Sequence, residues 1–330
     1  MTTSVGVKKV SCDTRGSDLR PMRISTLKFL PELKWDLYIV SDPRSTPILF
    51  SSAESPVIFE DLEKLEDRGI CDVFLSSEDY TDCGQELRSN LEELLQREDI
   101  PSEQRCVLLQ AAVSVEIEKA FCLIKVDAAV EQAHEIGKMI ANLVSSESVV
   151  PSALFGVMRH DFYTFTHITN VSSYGLLLAQ HLGISDPKTL DEIAVGGLLH
   201  DVGKRLIPPA ILNKPGRLTA EEFALIKEHP QRGYEDVCER DDLLFEQKMM
   251  VYQHHERIDG GGYPVGLVGD EIHPWGRLCA VVDVFDAISS ERPYRKAMEV
   301  DKVLEIMDKD AGKHLDKEMV KCWKSAMKQR

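Results

Sequence analysis

The chain has 330 residues, 43% hydrophobic and 28% charged, a length and composition that fit a globular protein of about two domains. Its formal net charge of −16 argues against general affinity for nucleic acid or for an anionic membrane surface. No apolar run is long enough to span a bilayer, the opening MTTSVGVKKVS lacks the apolar segment of a secretory signal, and the eight cysteines form no CxxC pair, so the expectation is a cytoplasmic protein with reduced thiols.

Residues 1 to about 25 are polar, carry Lys8, Lys9 and Arg15, and are expected to include a frayed end. From Trp35, the run WDLYIV, the turn signal Ser41-Asp42-Pro43-Arg44 and TPILF predict a β-hairpin or two nearby strands. FEDLEKLEDRGI sets Phe59, Leu62, Leu65 and Ile70 near helical period, with Gly69 as a C-terminal stop. CDVFLSS returns to strand and closes a small α/β or α+β module near residue 80. The acidic stretch Glu78–Glu103 contains the helical NLEELLQRE before Pro101, and its charge reads as a solvated face. From Gln104 to about Val144, apolar residues at helical spacing, among them Val107, Val113, Ile117, Ala128, Ile136 and Ile140, predict one long or two shorter helices. Such a connector either carries a signal or builds a homodimer, or simply packs on the domain that follows.

The chemistry-bearing residues lie beyond the connector. Taken as a helix, HDFYTFTHITNVSSYGLLLAQHLG puts His167, Val171, Tyr174 and Leu178 on one face, the imidazole pointing inward. The next helix, DEIAVGGLLHDVGK, places Ile193, Gly197, His200 and Lys204 on one face, and Gly196 and Gly197 allow close helix–helix approach. Adjacent His200 and Asp201 diverge by about 100° around a helix axis, so both reach one metal only near a helix end or groove, which Gly203 supports. ILNKPGRLTAEEFALIKEHP brings His229 in on a helix, with Thr219 as N-cap and Glu222 completing a capping box. In HHERIDGGGYP, His254 and His255 run through Glu256 and Asp259 into three glycines, which let backbone approach a ligand, and Pro264 fixes the exit. VVDVFDAISSERPYRKA adds Asp283 and then the basic Arg292, Arg295 and Lys296.

The ordered set His200-Asp201-Val-Gly203-Lys204, His229-Pro230, HHERIDGGGYP and VVDVFDAISSERPYRKA resembles the HD-GYP family of bacterial cyclic dinucleotide phosphodiesterases, over about residues 150 to 330. The resemblance implies hydrolysis of cyclic di-GMP to linear pGpG, and on to GMP, with cyclic GMP-AMP as an alternative substrate. It implies that one metal takes His167, His200, Asp201 and Asp283 and a second takes Asp201, His229, His254 and His255, Asp201 bridging through its two oxygens. Lys204, Arg292 and Arg295 then lie along the phosphate track.

Some members carry a glutamate one turn before the first histidine and bind a third metal. Here that position is Tyr163, so two divalent ions are expected, with Asp161 and Glu256 as further candidates. His/carboxylate ligation suits iron or manganese, with zinc or nickel as alternatives. Two ions roughly 3.5–4 Å apart would polarise a bridging water and stabilise the leaving oxygen. Tyr263 either stacks on a guanine or holds the loop. The Gly-Tyr-Pro loop in this family is also proposed to contact signalling proteins such as diguanylate cyclase domains. Asp286 either supports a ligand or faces solvent; Glu256 and Asp259 either orient ligands or brace the loop, Asp259 being the stronger candidate for support.

The expected architecture is mainly α: residues 1–103 form an N-terminal regulatory α/β (α+β) module with an acidic helical tail, 104–148 a helical connector, and 149–330 an all-α HD-type catalytic domain. Two rival readings are a non-catalytic cyclic dinucleotide receptor and a general HD phosphohydrolase. The intact ligand set argues against the first, and the HHERIDGGGYP loop with ERPYRK against the second.

Overall fold

The computed structural model describes residues 19–40, 46–122, 126–146, 151–158, 164–212, 214, 216–290 and 298–328. Its N-terminal strands are β1 (Leu19–Arg23), β2 (Leu37–Ile39), β3 (Ile48–Ser51) and β4 (Asp72–Ser76), joined as an antiparallel sheet in the order β1-β4-β2-β3. The β1–β4 register runs from Leu19 opposite Ser76 to Arg23 opposite Asp72, and Tyr38 opposite Phe74 joins the β2–β3 hairpin to β4. Val73 and Leu75 are buried while their neighbours are half-buried, the two-residue alternation of a sheet with one covered face.

Helix α1 (Ile24–Leu27) follows β1, and α2 (Phe59–Glu66) buries Leu62 and Leu65. Gly69 closes α2 at φ +79°, the left-handed conformation that favours glycine. The hairpin and α2 match the sequence expectation, the turn Ser41–Arg44 lying outside the described residues. The purely antiparallel pairing makes this unit α+β.

Leu19–Arg23, a segment for which the sequence announces no strand, is one; its alternation is masked by Arg20 and Arg23, and pairing along the whole of β4 supplies the order that local propensity does not. The acidic stretch does present its charges to solvent, with Glu78, Asp82, Glu92 and Glu93 exposed, while its apolar residues turn inward. Ser76 caps α3 (Ser77–Ser89) by accepting the Asp79 N–H at 3.0 Å, Glu78 and Asp79 lie at the positive end of the helix dipole, and Tyr80, Cys83 and Leu87 are buried. Helix α4 (Leu91–Gln96) follows and buries Leu91 and Leu94.

The segment read as a connector contains α5 (Ser102–Cys122) and α6 (Val126–Ser146), on either side of residues outside the description. By compactness the chain divides into one unit of Met1–Ile100 with Val107–Val115 and another of Pro101–Cys106 with Glu116–Arg330.

The second unit is all-helical. After α7 (Pro151–Met158) come α8 (Thr164–His181) and α9 (Pro187–Leu199), a 3-10 turn over Val202–Leu206, α10 (Pro209–Leu212), α11 (Ala220–Ile226), α12 (His229–Val237) and α13 (Phe245–Gln253). A 3-10 turn at Gly269–Glu271, α14 (Pro274–Ser289), α15 (Val300–Asp310) and α16 (Lys317–Ala326) complete it. Helix α6 packs along α8 and α9. A Cβ built on Gly197 of α9 would lie 2.7 Å from the Ser172 Cα of α8, and one on Gly196 would overlap Met250 of α13, so the glycine pair does permit close helix approach.

Phe155, Tyr174, Phe285 and Trp323, contributed by α7, α8, α14 and α16, stack edge-on or tilted with centroids 5.1–5.7 Å apart. That aromatic cluster fixes α8 against α14, the two helices carrying His167 and Asp283. No helix among the described residues is long and apolar enough to cross a membrane.

Candidate metal centre

Each potential ligand is presented by an element end or a buried helix face. His167 lies on α8 on the same face as Val171, Tyr174 and Leu178, all fully buried, as the helical period requires. Helix α9 ends at Leu199, so His200 is its cap residue and Asp201 opens the 3-10 turn. This change of helix type lets two consecutive side chains converge. Lys204 therefore lies on the 3-10 turn, not on the α9 face expected from the sequence. The turn is seated against α12, where a Cβ on Gly203 would overlap the His229 carbonyl. The Thr219–Glu222 capping box is present, but His229 begins its own helix, α12, because α11 ends at Ile226. His254 caps α13, and Asp283 comes from the buried face of α14.

The seven side chains form two groups, Asp201 with His229, His254 and His255, and His167 with His200 and Asp283, the potential ligand atoms of each lying within 4.8 Å of one another. Asp201 joins the groups. Its Oδ2 is 3.3 Å from His200 Nε2 and 3.7 Å from His167 Nε2, while its Oδ1 is 3.2 Å from His229 Nε2 and 3.7 Å from His254 Nε2. Asp283 Oδ1 stands 3.1 Å from His167 Nε2.

The opposite ring nitrogens set the tautomers. Nδ1–H of His200 donates to the Gly197 carbonyl at 2.7 Å, that of His229 to the Ile226 carbonyl at 2.7 Å, and that of His254 to the carbonyls of Met250 and Val251 at 3.0 Å. Those three Nε2 atoms are thereby left as bare acceptors aimed inward. His229 and His254 face each other Nε2 to Nε2 at 3.2 Å, and His200 Nε2 and Asp201 Oδ1 are buried with no hydrogen-bond partner among the described residues. Facing lone pairs and orphaned acceptors are unfavourable alone and are relieved by a cation, so the donor set fits divalent metal ions.

Burial opposes ionisation of Asp201, yet the Lys204 ammonium holds its carboxyl well below the usual carboxylate range. Asp283 is likewise held down against burial, chiefly by His167. Burial pushes His255 well below the ordinary imidazole value, helped by His254, which keeps it neutral as a ligand must be. For His167 burial also lowers the value, but Asp283 and Asp286 together raise it to about 9.

Asp286, left open by the sequence, is buried and accepts from His167 Nδ1 at 2.7 Å, from Asn170 Nδ2 at 2.8 Å and from Ser290 Oγ at 3.1 Å. Asn170 was not singled out, although the i, i+3 spacing of His167 with Asn170 and of Asp283 with Asp286 carries the signal.

The glycine loop is organised differently from expectation. Glu256, buried, braces it by accepting the backbone N–H groups of Val265, Gly266 and Leu267. Asp259, the sequence choice for ligand support, is exposed, paired with Arg257 and bonded to the Gly261 N–H. Gly262 lies against the Glu256–Arg257 backbone, where a Cβ would overlap, so the close approach recorded here is to the chain itself. Tyr263 stacks on His255, centroids 4.8 Å apart at 27°. Lys204 Nζ donates to Asp201 Oδ2 at 2.5 Å. Arg292, Arg295, Lys296, Tyr163 and Asp161 lie outside the described residues.

The profile of the HD domain family matches residues 139–319. The cyclic di-GMP phosphodiesterase PA4108 of Pseudomonas aeruginosa is 36% identical over 202 residues, covering 60% of this chain and 48% of that protein. The 3'3'-cGAMP-specific phosphodiesterase 3 of Vibrio cholerae is 38% identical over 165 residues, covering 50% of this chain and 35% of that one. The chain thus spans less than half the length of either relative. Bd1817, an HDG"Y"P protein from Bdellovibrio bacteriovorus, superposes with a TM-score of 0.65 at 22% identity, covering 94% of this chain and all of that chain, which is a likeness of fold.

Proposed function

The chain belongs to the HD-domain family, and from that premise we propose that it is a metal-dependent phosphodiesterase that hydrolyses cyclic di-GMP to linear pGpG. The observation that carries the reading is the placement of Asp201, with one carboxylate oxygen toward His200 and His167 and the other toward His229 and His254.

When bound, two divalent ions, iron or manganese, supply Lewis acidity and charge neutralisation to a diester that is itself anionic. His167, His200 and Asp283 would hold one and His229, His254 and His255 the other, with Asp201 shared. Hydrolysis adds one water across one phosphodiester bond and gives the linear dinucleotide; a second addition gives GMP. Lys204 sits at the edge of the site, about a quarter of its side chain exposed, with its ammonium on Asp201. With Asp201 engaged in holding the ions, that ammonium would be placed to donate to a phosphoryl oxygen. Arg292 and Arg295 extend the positive track by the family resemblance. Cytoplasmic placement, contact of the Gly-Tyr-Pro loop with diguanylate cyclase domains and a homodimer belong to the same proposal.

The test is anaerobic purification, quantification of metal per chain, and incubation with cyclic di-GMP and separately with cyclic GMP-AMP, following linear product by chromatography. About two ions per chain with pGpG formation supports the reading. Tight binding without turnover, persisting after reconstitution with iron and with manganese, would replace it with the receptor reading. Faster turnover of cyclic GMP-AMP would move the substrate, a substitution that the Vibrio relative's name makes worth measuring.

A further inference from the structure

A cyclic dinucleotide carries two phosphodiesters and two purines. If one phosphate faces Asp201 and its histidines, the other stands away from the metal ligands and needs a cation of its own in a protein of net charge −16. On the proposed-function reading, we propose that Lys227 takes that second phosphate and that Phe223 and Tyr263 offer their rings to a purine, the three forming a distal half-site beside the metal centre.

The residues form a continuous path outward from a candidate ligand. Tyr263 stacks on His255, and Lys227 Nζ lies 5.7 Å from the Tyr263 ring centroid and 5.6 Å from that of Phe223. Phe223 and Lys227 are one helical turn apart at the end of α11, so both project to the same side. Phe223 is 49% exposed, an aromatic surface left uncovered beside a charged site.

Lys227 is exposed, and among the described residues no carboxylate pairs with it. Its acidic neighbours are committed elsewhere. Glu222 accepts from Lys214 at 2.6 Å and from the Thr219 N–H at 2.7 Å, and Glu228 pairs with Arg232 at 2.6 Å. Lys214 and Lys204 are likewise engaged, by Glu222 and Asp201. The Lys227 ammonium is thus held by two rings and not neutralised by a carboxylate, which suits it to an incoming anion. Ring surfaces that hold the ammonium also supply stacking area for bases, an interaction tolerant of which base arrives.

Isothermal titration of the full chain, treated with chelator so that nothing turns over, reads the half-site directly. Lys227→Met is expected to weaken cyclic di-GMP binding roughly tenfold, Lys227→Arg to restore most of it, and Phe223→Ala to weaken it comparably. The Lys227→Met deficit should shrink at about 0.5 M salt, which a structural defect would not do. Lys302→Met, an exposed lysine on α15, is the control. In the metal-loaded chain the same Lys227→Met change should raise KM more than it lowers kcat.

Equal binding by wild type and Lys227→Met, or a deficit untouched by salt and unrescued by arginine, overturns the half-site. A wild type that binds cyclic di-GMP and shows the Lys227 effect, yet makes no linear product from it or from bis(p-nitrophenyl) phosphate, upholds the half-site and removes the hydrolase reading. A wild type that binds no cyclic di-GMP after chelation overturns the half-site, and one that also neither binds nor cleaves it after reconstitution with iron and with manganese overturns both.

Discussion

Nδ1 of His167 donates to Oδ2 of Asp286 at 2.7 Å, and this bond decides which ring nitrogen of His167 faces the metal centre. The Asp286 carboxylate is itself held, because its Oδ1 accepts from Asn170 and Ser290. Ring, carboxylate and amide thus form a chain from α8 to α14 and back to α8, and Nε2 is left to Asp283 and Asp201.

Asp286→Asn tests that chain. An amide offers one acceptor where the carboxylate offers two, so either His167 or Asn170 faces a donor. The expected result is a loss of about 10–100-fold in metal affinity, measured by competition with a chromophoric chelator. Unchanged affinity would show that α8 packing alone orients His167.

Metal removal and return should be visible in stability. Ions that bind only the folded chain stabilise it by about 2.7 kcal/mol at a hundredfold excess over Kd. For a domain of this size that corresponds to a rise in Tm on the order of 5–11 °C when manganese is added to chelator-treated protein. Asp201→Asn should abolish most of the rise, since an amide cannot offer an anionic oxygen to each group. A full rise in that variant would remove Asp201 from the shared position.

Much of this site was legible in the sequence, because its residues belong to short motifs whose local geometry is self-contained. His200-Asp201 with Gly203 announces a helix end, Thr219 with Glu222 announces a cap, and both are present. What escaped depends on partners distant in sequence. Asp286 could face solvent or His167, 119 positions away, until α14 was laid against α8. The sequence favours Asp259 over Glu256 for ligand support, whereas their roles are assigned by which carboxylate is buried under the returning loop. Leu19–Arg23 became a strand only through β4, about fifty residues on. Periodicity reported faces, whereas long-range pairing chose among them.

The contrast between the two loop carboxylates is measurable. Glu256→Ala strips the acceptors from three backbone N–H groups at once and is expected to cost about 1–3 kcal/mol in chemical denaturation. Amide exchange at Val265, Gly266 and Leu267 should accelerate, and metal affinity should fall if the loop no longer seats Tyr263 against His255. Asp259→Ala, at an exposed ion pair, should have the smaller effect on each readout. The opposite ranking would restore Asp259 as the main brace.

The N-cap of α14 is expected to make stability depend on pH. His273 Nδ1 accepts the Trp275 N–H at 3.2 Å, which requires that nitrogen to be unprotonated. Burial lowers the His273 pKa, Glu246 opposes this, and Arg277 lowers it further. The folded value therefore lies below the unfolded one of about 6.5. Above that pH both states are neutral and the cap contributes fully. As the pH falls below it the unfolded chain takes up a proton that the folded chain resists, so stability is lost down to the folded pKa. Asparagine is a good N-cap that does not titrate in this range. His273→Asn should consequently lose less Tm than the wild type between about pH 7.5 and pH 5.5. Burial lowers His314 too, but His314 titrates in both proteins and drops out of the difference. Parallel pH profiles for the two proteins would show that the His273 ring does not couple its charge to folding.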